Sequence, residues 1–103
     1  MSDLESYIQR RALWLAEHEL GVLGTKLETP GATGFPDIIF WLPRGKPMLV
    51  EFKRPGEAPR PKQVYVHGFL RNLDYDVRVF DDPDLCAWAI REELKKRGVT
   101  CIS

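Results

Sequence analysis

The chain has 103 residues, room for one compact domain and no second catalytic one. Three Trp, five Phe and three Tyr, with 44% apolar residues, exclude a disordered chain, and no segment approaches the length of a membrane span. Fifteen basic and fifteen acidic side chains cancel to zero net charge, which neither favours nor excludes a nucleic-acid partner.

Ser2-Asp3-Leu4-Glu5 reads as a capping box, Ser2 at the N-cap and Glu5 three residues on. It opens a helix whose apolar stripe includes Leu4, Ile8, Ala12 and Leu15 and which should end near Gly21. Val22 to Thr29 carries β-branched residues in partial alternation and fits a strand. Thr29-Pro30-Gly31-Ala32-Thr33-Gly34 is a turn-rich loop. Two strands follow, Pro36 to Leu42 and Pro47 to Lys53, joined by Pro43-Arg44-Gly45-Lys46, a link short enough to force an antiparallel hairpin.

Arg54 to Pro61, with three prolines and a glycine, is a loop. Pro61 then suits the first turn of a helix running to Leu73, with Val66, Phe69, Leu70 and Leu73 as its apolar face. Asp76 to Phe80 alternates as a strand. Asp82 or Asp84 can cap a third helix bearing Leu85, Trp88, Ala89 and Leu94, closed by Lys95, Lys96, Arg97 and Gly98, and Val99 to Ile102 would add a short edge strand. The order is α-β-β-β-α-β-α, an α/β (α+β) domain over residues 1–103 with a mixed central sheet flanked by helices.

Cys86 and Cys101 lack ligand-like spacing and read as free thiols of a cytosolic protein. The N-terminus has no basic region followed by an apolar run, so neither secretion nor membrane insertion is expected. Charge is unevenly spread: Arg44 to Gln63 holds six basic residues and two acidic ones, while Asp74 to Asp84 holds five Asp and one Arg. One face is therefore expected to be locally basic, although two unrelated solvated faces would give the same pattern.

In an antiparallel hairpin the start of the first strand lies beside the end of the second, which brings Asp37 next to Glu51. Glu51 and Lys53 are two apart and share a face, while Phe52 points to the other. Close carboxylates repel unless a cation or proton separates them, and hard oxygen donors suit Mg²⁺ or Mn²⁺, with the Phe52 backbone carbonyl as a further ligand. Such a site fits phosphodiester hydrolysis. Taken alone, Glu51-Phe52-Lys53 is a weak signal, better explained as a surface ion pair on a strand.

The set Gly34-Phe35-Pro36-Asp37, Glu51-Phe52-Lys53-Arg54-Pro55-Gly56 and Lys62-Gln63 resembles the PD-(D/E)xK nucleases, and within them the virus-type replication-repair nuclease (VRR-NUC) family, over most of the chain. The resemblance implies a restriction-endonuclease-like core and Mg²⁺- or Mn²⁺-dependent DNA cleavage. It assigns Asp37, Glu51 and the Phe52 carbonyl to metal binding, Lys53 to catalysis, Gln63 to support of the site from its helix, and Glu5 to the first-helix acid that completes it.

From spacing alone, Glu5 is also explained as a helix cap and Gln63 as a hydrogen bond at the core edge. His67 is read as an incidental helix histidine. Phe40 and Trp41 fit the core or a subunit interface. Gly34, Arg54, Arg60 and Lys62, and with them Lys26, Arg44 and Lys46, are candidates for DNA contact. Stand-alone members of the family resemble phage or prophage proteins, so a bacterial host cytoplasm is implied. The expected partners are branched DNA, four-way junctions in particular, and a second copy of the chain, with no nucleotide cofactor. Cleavage of flaps or linear duplex, or a non-catalytic DNA-binding module, are the alternatives.

Overall fold

The computed structural model describes residues 3–28 and 33–100. The element order is as expected: α1 (Asp3–Leu20), β1 (Gly24–Lys26), β2 (Ile38–Phe40), β3 (Met48–Phe52), α2 (Pro61–Asn72), β4 (Asp76–Phe80) and α3 (Pro83–Lys96). The sheet runs β1-β2-β3-β4, with β1 and β2 antiparallel, β2 and β3 antiparallel, and β3 and β4 parallel. A parallel pair needs a crossover, and α2 supplies it.

Strand alternation divides the side chains between two faces. Ile38, Phe40, Met48, Val50 and Phe52 point to one side and form the core with Ile8, Ala12, Ala16 and Leu20 of α1 and Cys86, Ile90 and Leu94 of α3. Asp37, Ile39, Leu49, Glu51 and Lys53 take the opposite side, where α2 is the covering helix. The catalytic candidates thus lie on the face with less apolar cover.

Gly21 ends α1 at φ +69°, a left-handed conformation that costs glycine little, and the Val22 N–H returns to the Ala16 carbonyl at 2.8 Å. Of the expected stripe, Ile8, Ala12 and Leu15 are buried, but Leu4, in the first turn, is exposed. Ser2, the expected cap, lies outside the described residues. At Gly24, α1 and the sheet meet so closely that a Cβ would stand 2.5 Å from Leu13 and 2.8 Å from Phe40.

Three expectations shift. The strand expected over Val22 to Thr29 is confined to Gly24–Lys26, Thr29 being outside the described residues. The α2 face is turned: Val66 and His67 are buried and Leu70 half-buried, whereas Phe69 and Leu73 are exposed. Gln63, Val66, His67 and Leu70 form a stripe at helical spacing, and polar atoms near Glu51 draw it to the sheet. Val99 and Thr100 form no strand; the remainder of that segment lies outside the described residues.

The Asp82 side chain caps α3 by accepting from the N–H groups of Asp84 and Leu85. The hairpin turn is bolted to the end of that helix. Arg44 donates to the carbonyls of Arg97 and Gly98, while Arg97 donates to those of Pro43 and Lys46. Among the described residues no helix is long and apolar enough to cross a membrane.

Candidate active site

Asp37 stands one residue before β2, with its N–H on the Val50 carbonyl at 2.9 Å and its carbonyl accepting from Leu27 at 2.8 Å. Its side chain reaches across the open end of the hairpin, where Oδ2 accepts from the Phe52 N–H at 2.9 Å. The N–H and C=O of one extended residue point to the same side of a strand, so the Phe52 carbonyl also opens toward Asp37. The hairpin brings Asp37, Glu51 and the Phe52 backbone together, as the spacing requires.

Glu51 and Lys53 are only 3% and 4% exposed, which disposes of the surface ion pair. Burial, and then the neighbouring Asp37 carboxylate, push the Glu51 pKa up to about 8 against the opposing pull of Lys53. Glu51 Oε2 accepts from Gln63 Nε2 at 3.1 Å. The other amide atom of Gln63, Oε1, accepts the Arg60 backbone N–H at 2.8 Å at the start of α2. Gln63 therefore caps its own helix and hydrogen-bonds Glu51 at once.

His67, one turn further along α2, is 2% exposed. Its Nε2 lies 3.7 Å from Glu51 Oε1. Neither atom has a hydrogen-bond partner among the described residues. Desolvation lowers the His67 pKa, favouring the neutral ring. Reading a lone helix histidine as incidental missed this contact; the one sequence signal for it was the four-residue step from Gln63, which stacks the two side chains.

Glu5 joins a neighbouring cluster. Burial and a hydrogen bond with Glu57 raise its pKa, while Glu57 is held low, first by Arg54 and then by Glu5. Glu57 sits 2.9 Å from Arg54 Nη2 and 3.9 Å from Lys53 Nζ. Among the described residues no three His, Cys, Asp or Glu side chains converge as a ready-made metal cage. The fit to a cation rests instead on Asp37 and Glu51, on the unpartnered Glu51 Oε1 and on the Phe52 carbonyl, all hard oxygen donors.

Of the DNA-contact candidates, Arg54, Arg60 and Lys62 are exposed around this end of the sheet. Gly34, at φ +90°, packs so tightly on α2 that a Cβ would lie 2.7 Å from the Lys62 carbonyl oxygen. Arg44 and Lys46 lie at the other end: Arg44 binds the end of α3, and Lys46 donates to the Asp74 carbonyl at 3.1 Å and covers Tyr75. Phe40 is fully buried in the core, while Trp41 is half exposed and donates to Thr25 Oγ1 at 2.8 Å.

The sequence pattern of the VRR-NUC domain matches residues 28–81, just over half of the chain. Over 67 residues the chain is 42% identical to "Putative nuclease p44" of Acyrthosiphon pisum secondary endosymbiont phage 1, spanning 65% of this chain and 72% of that protein. A solved VRR-NUC domain superposes with a TM-score of 0.74 over 92% of this chain and 97% of its own, at 29% identity. Fold and relatives together define a nuclease domain built on a mixed α/β sheet. The chain belongs to the VRR-NUC family.

Proposed function

We propose that this chain is a divalent-metal-dependent DNA endonuclease of the PD-(D/E)xK type, using Mg²⁺ or Mn²⁺. The observation that carries the reading is the burial of Glu51 beside Asp37 with Lys53 on the same face. A buried carboxylate set against a second, half-buried one is costly without a cation, and nothing in the fold of a merely structural strand calls for one. A bound Mg²⁺ or Mn²⁺ would neutralise charge on the scissile phosphate and acidify a water.

The chain's own groups divide the rest of the work. Asp37, Glu51 and the Phe52 carbonyl hold the ion, while Gln63 fixes Glu51. The Lys53 ammonium orients the attacking water and offsets negative charge as it develops on the phosphate. Glu5 is the further acid, hydrogen-bonded to Glu57 and close enough for its charge to act on Glu51. Arg54, Arg60 and Lys62 grip backbone phosphates, and Gly34 lets the start of α2 and the DNA backbone approach closely.

The substrate is branched DNA, four-way junctions in particular, cut by a homodimer in the cytoplasm of a bacterial host carrying a phage or prophage copy. An exposed apolar face supports the dimer. Two adjoining hollows of about 460 and 300 Å³ share Phe35 and Leu70 and are walled by Trp41, Tyr75, Phe69 and Leu73. An apolar area of this kind on a small domain marks an association surface.

Incubating the protein with junction, flap and linear duplex DNA in Mg²⁺, Mn²⁺ or EDTA tests the reading. Metal-dependent cleavage of the junction in preference to the others is expected. Cleavage of flap or duplex alone would replace the substrate assignment, and binding without cleavage in either metal would leave a DNA-binding module in place of the enzyme.

A further inference from the structure

Helix α2 meets Glu51 at two places. One is the Gln63 amide on Oε2 at 3.1 Å; the other is the His67 ring, whose Nε2 lies 3.7 Å from Oε1. Both atoms of the second pair are buried, and neither has a hydrogen-bond partner among the described residues. Two orphaned polar atoms facing each other are costly apart and complementary together.

Two neighbouring polar groups are already engaged. Arg71 donates twice to the Val77 carbonyl, at 3.2 and 2.8 Å, and Asp37 Oδ2 holds the Phe52 N–H at 2.9 Å. Glu51 Oε1 is the buried, unpartnered acceptor that faces the ring. A neutral imidazole carries a single N–H, and which nitrogen bears it follows from the partner available. The terminal torsions of Glu and His are broad, so a small rotation closes the gap.

We propose that His67 is a positioning residue: its Nε2–H donates to Glu51 Oε1, so that α2 grips both oxygens of that carboxylate, Gln63 on one and His67 on the other, and fixes the plane in which their remaining lone pairs face Asp37. This rests on the reading of Glu51 as a metal ligand. Gripping a ligand from behind matters because a carboxylate free to rotate loses orientation, and with it cation affinity.

His67→Gln and His67→Met test it, since the two are nearly isosteric and only glutamine keeps an N–H donor. Titration of Mn²⁺ by calorimetry without DNA gives a readout independent of cleavage. The Met variant should lose about tenfold to a hundredfold in Mn²⁺ affinity and in kcat, with KM for DNA unchanged, while the Gln variant stays within about threefold of wild type. Equal behaviour of the two variants, whether both impaired or both intact, overturns the proposal.

Should the Met variant not fold, long-range nitrogen–proton correlation spectra of wild type decide it. Recorded on the alkaline side of neutrality, they should show the Nε2–H tautomer at His67, and an Nδ1–H tautomer with bare Nε2 overturns it. A wild type that binds no Mn²⁺ would remove the metal reading itself, and the same spectra would still judge the hydrogen bond.

Discussion

Glu51→Gln should make the metal-free protein more stable at alkaline pH while leaving it inactive. In the folded protein Glu51 keeps its proton up to about 8, against an ordinary value of 4.5. Below 4.5 both folded and unfolded chains hold the proton, and Glu51 subtracts nothing. Between 4.5 and about 8 the unfolded chain ionises first, so the folded state loses stability as pH rises, and above that window the loss is complete. At about 1.36 kcal/mol for each pH unit the interval amounts to ~5 kcal/mol, a ceiling because relaxation around an ionised Glu51 reduces it. A glutamine keeps the shape and can still accept from Gln63, but never ionises. Urea unfolding of both proteins in EDTA across this range measures the effect. Their stabilities should coincide at the acid end and diverge toward the alkaline end, the variant gaining a few kcal/mol. Millimolar Mn²⁺ should then restore the wild type and leave the variant unmoved. A stability difference that does not change with pH, or a variant weakened most at the alkaline end, would refute the account of Glu51 as a buried acid lacking its cation.

Lys53→Ala should cut kcat by about a hundredfold or more while DNA affinity in Ca²⁺ stays within a few fold; surviving activity would remove the lysine from the chemistry. Gly34→Ala places a methyl at φ +90° against the Lys62 carbonyl and should cost about 1–3 kcal/mol in thermal or urea unfolding, so an unchanged midpoint would contradict the packing at the start of α2. Glu57→Gln removes the anion resting on Arg54 and Lys53, so KM for DNA should fall a few fold and the salt dependence of binding steepen; a rise in KM would assign Glu57 a supporting part instead.

The grouping of Asp37, Glu51 and Lys53 was legible because it depends on two rules with little freedom, the pairing of hairpin ends and the two-residue period of a strand. Element order was legible for similar reasons, and the α3 cap was narrowed to Asp82 or Asp84, of which the structure uses Asp82. The facing of α2 was not. Phe69 and Leu73 carry more apolar surface than Gln63 and His67, so a reading by hydrophobicity rotates the helix toward them, whereas polar contacts with Glu51 decide its orientation. The fates of Arg44 and Lys46 were equally hidden. A basic run looks continuous along the chain, but the hairpin sends those two to the turn, to close the end of α3 and brace Asp74, while Arg54, Arg60 and Lys62 stay at the open end.

The ten-residue step from Lys53 to Gln63 acquires a physical reason from the two bonds that Gln63 makes. The loop must leave β3 and start a helix back over the same face, and any helix start presents unpaired N–H groups. Gln63 Oε1 takes the Arg60 N–H, which fixes where α2 begins, and the same rigid amide then delivers Nε2 to Glu51. Helix initiation and carboxylate orientation are thereby one geometric condition. A glutamate at this position would satisfy the helix and repel Glu51, and a lysine would satisfy Glu51 and leave the helix start open. Only an amide meets both requirements, which is why the residue type, and not merely a polar side chain, belongs to the pattern.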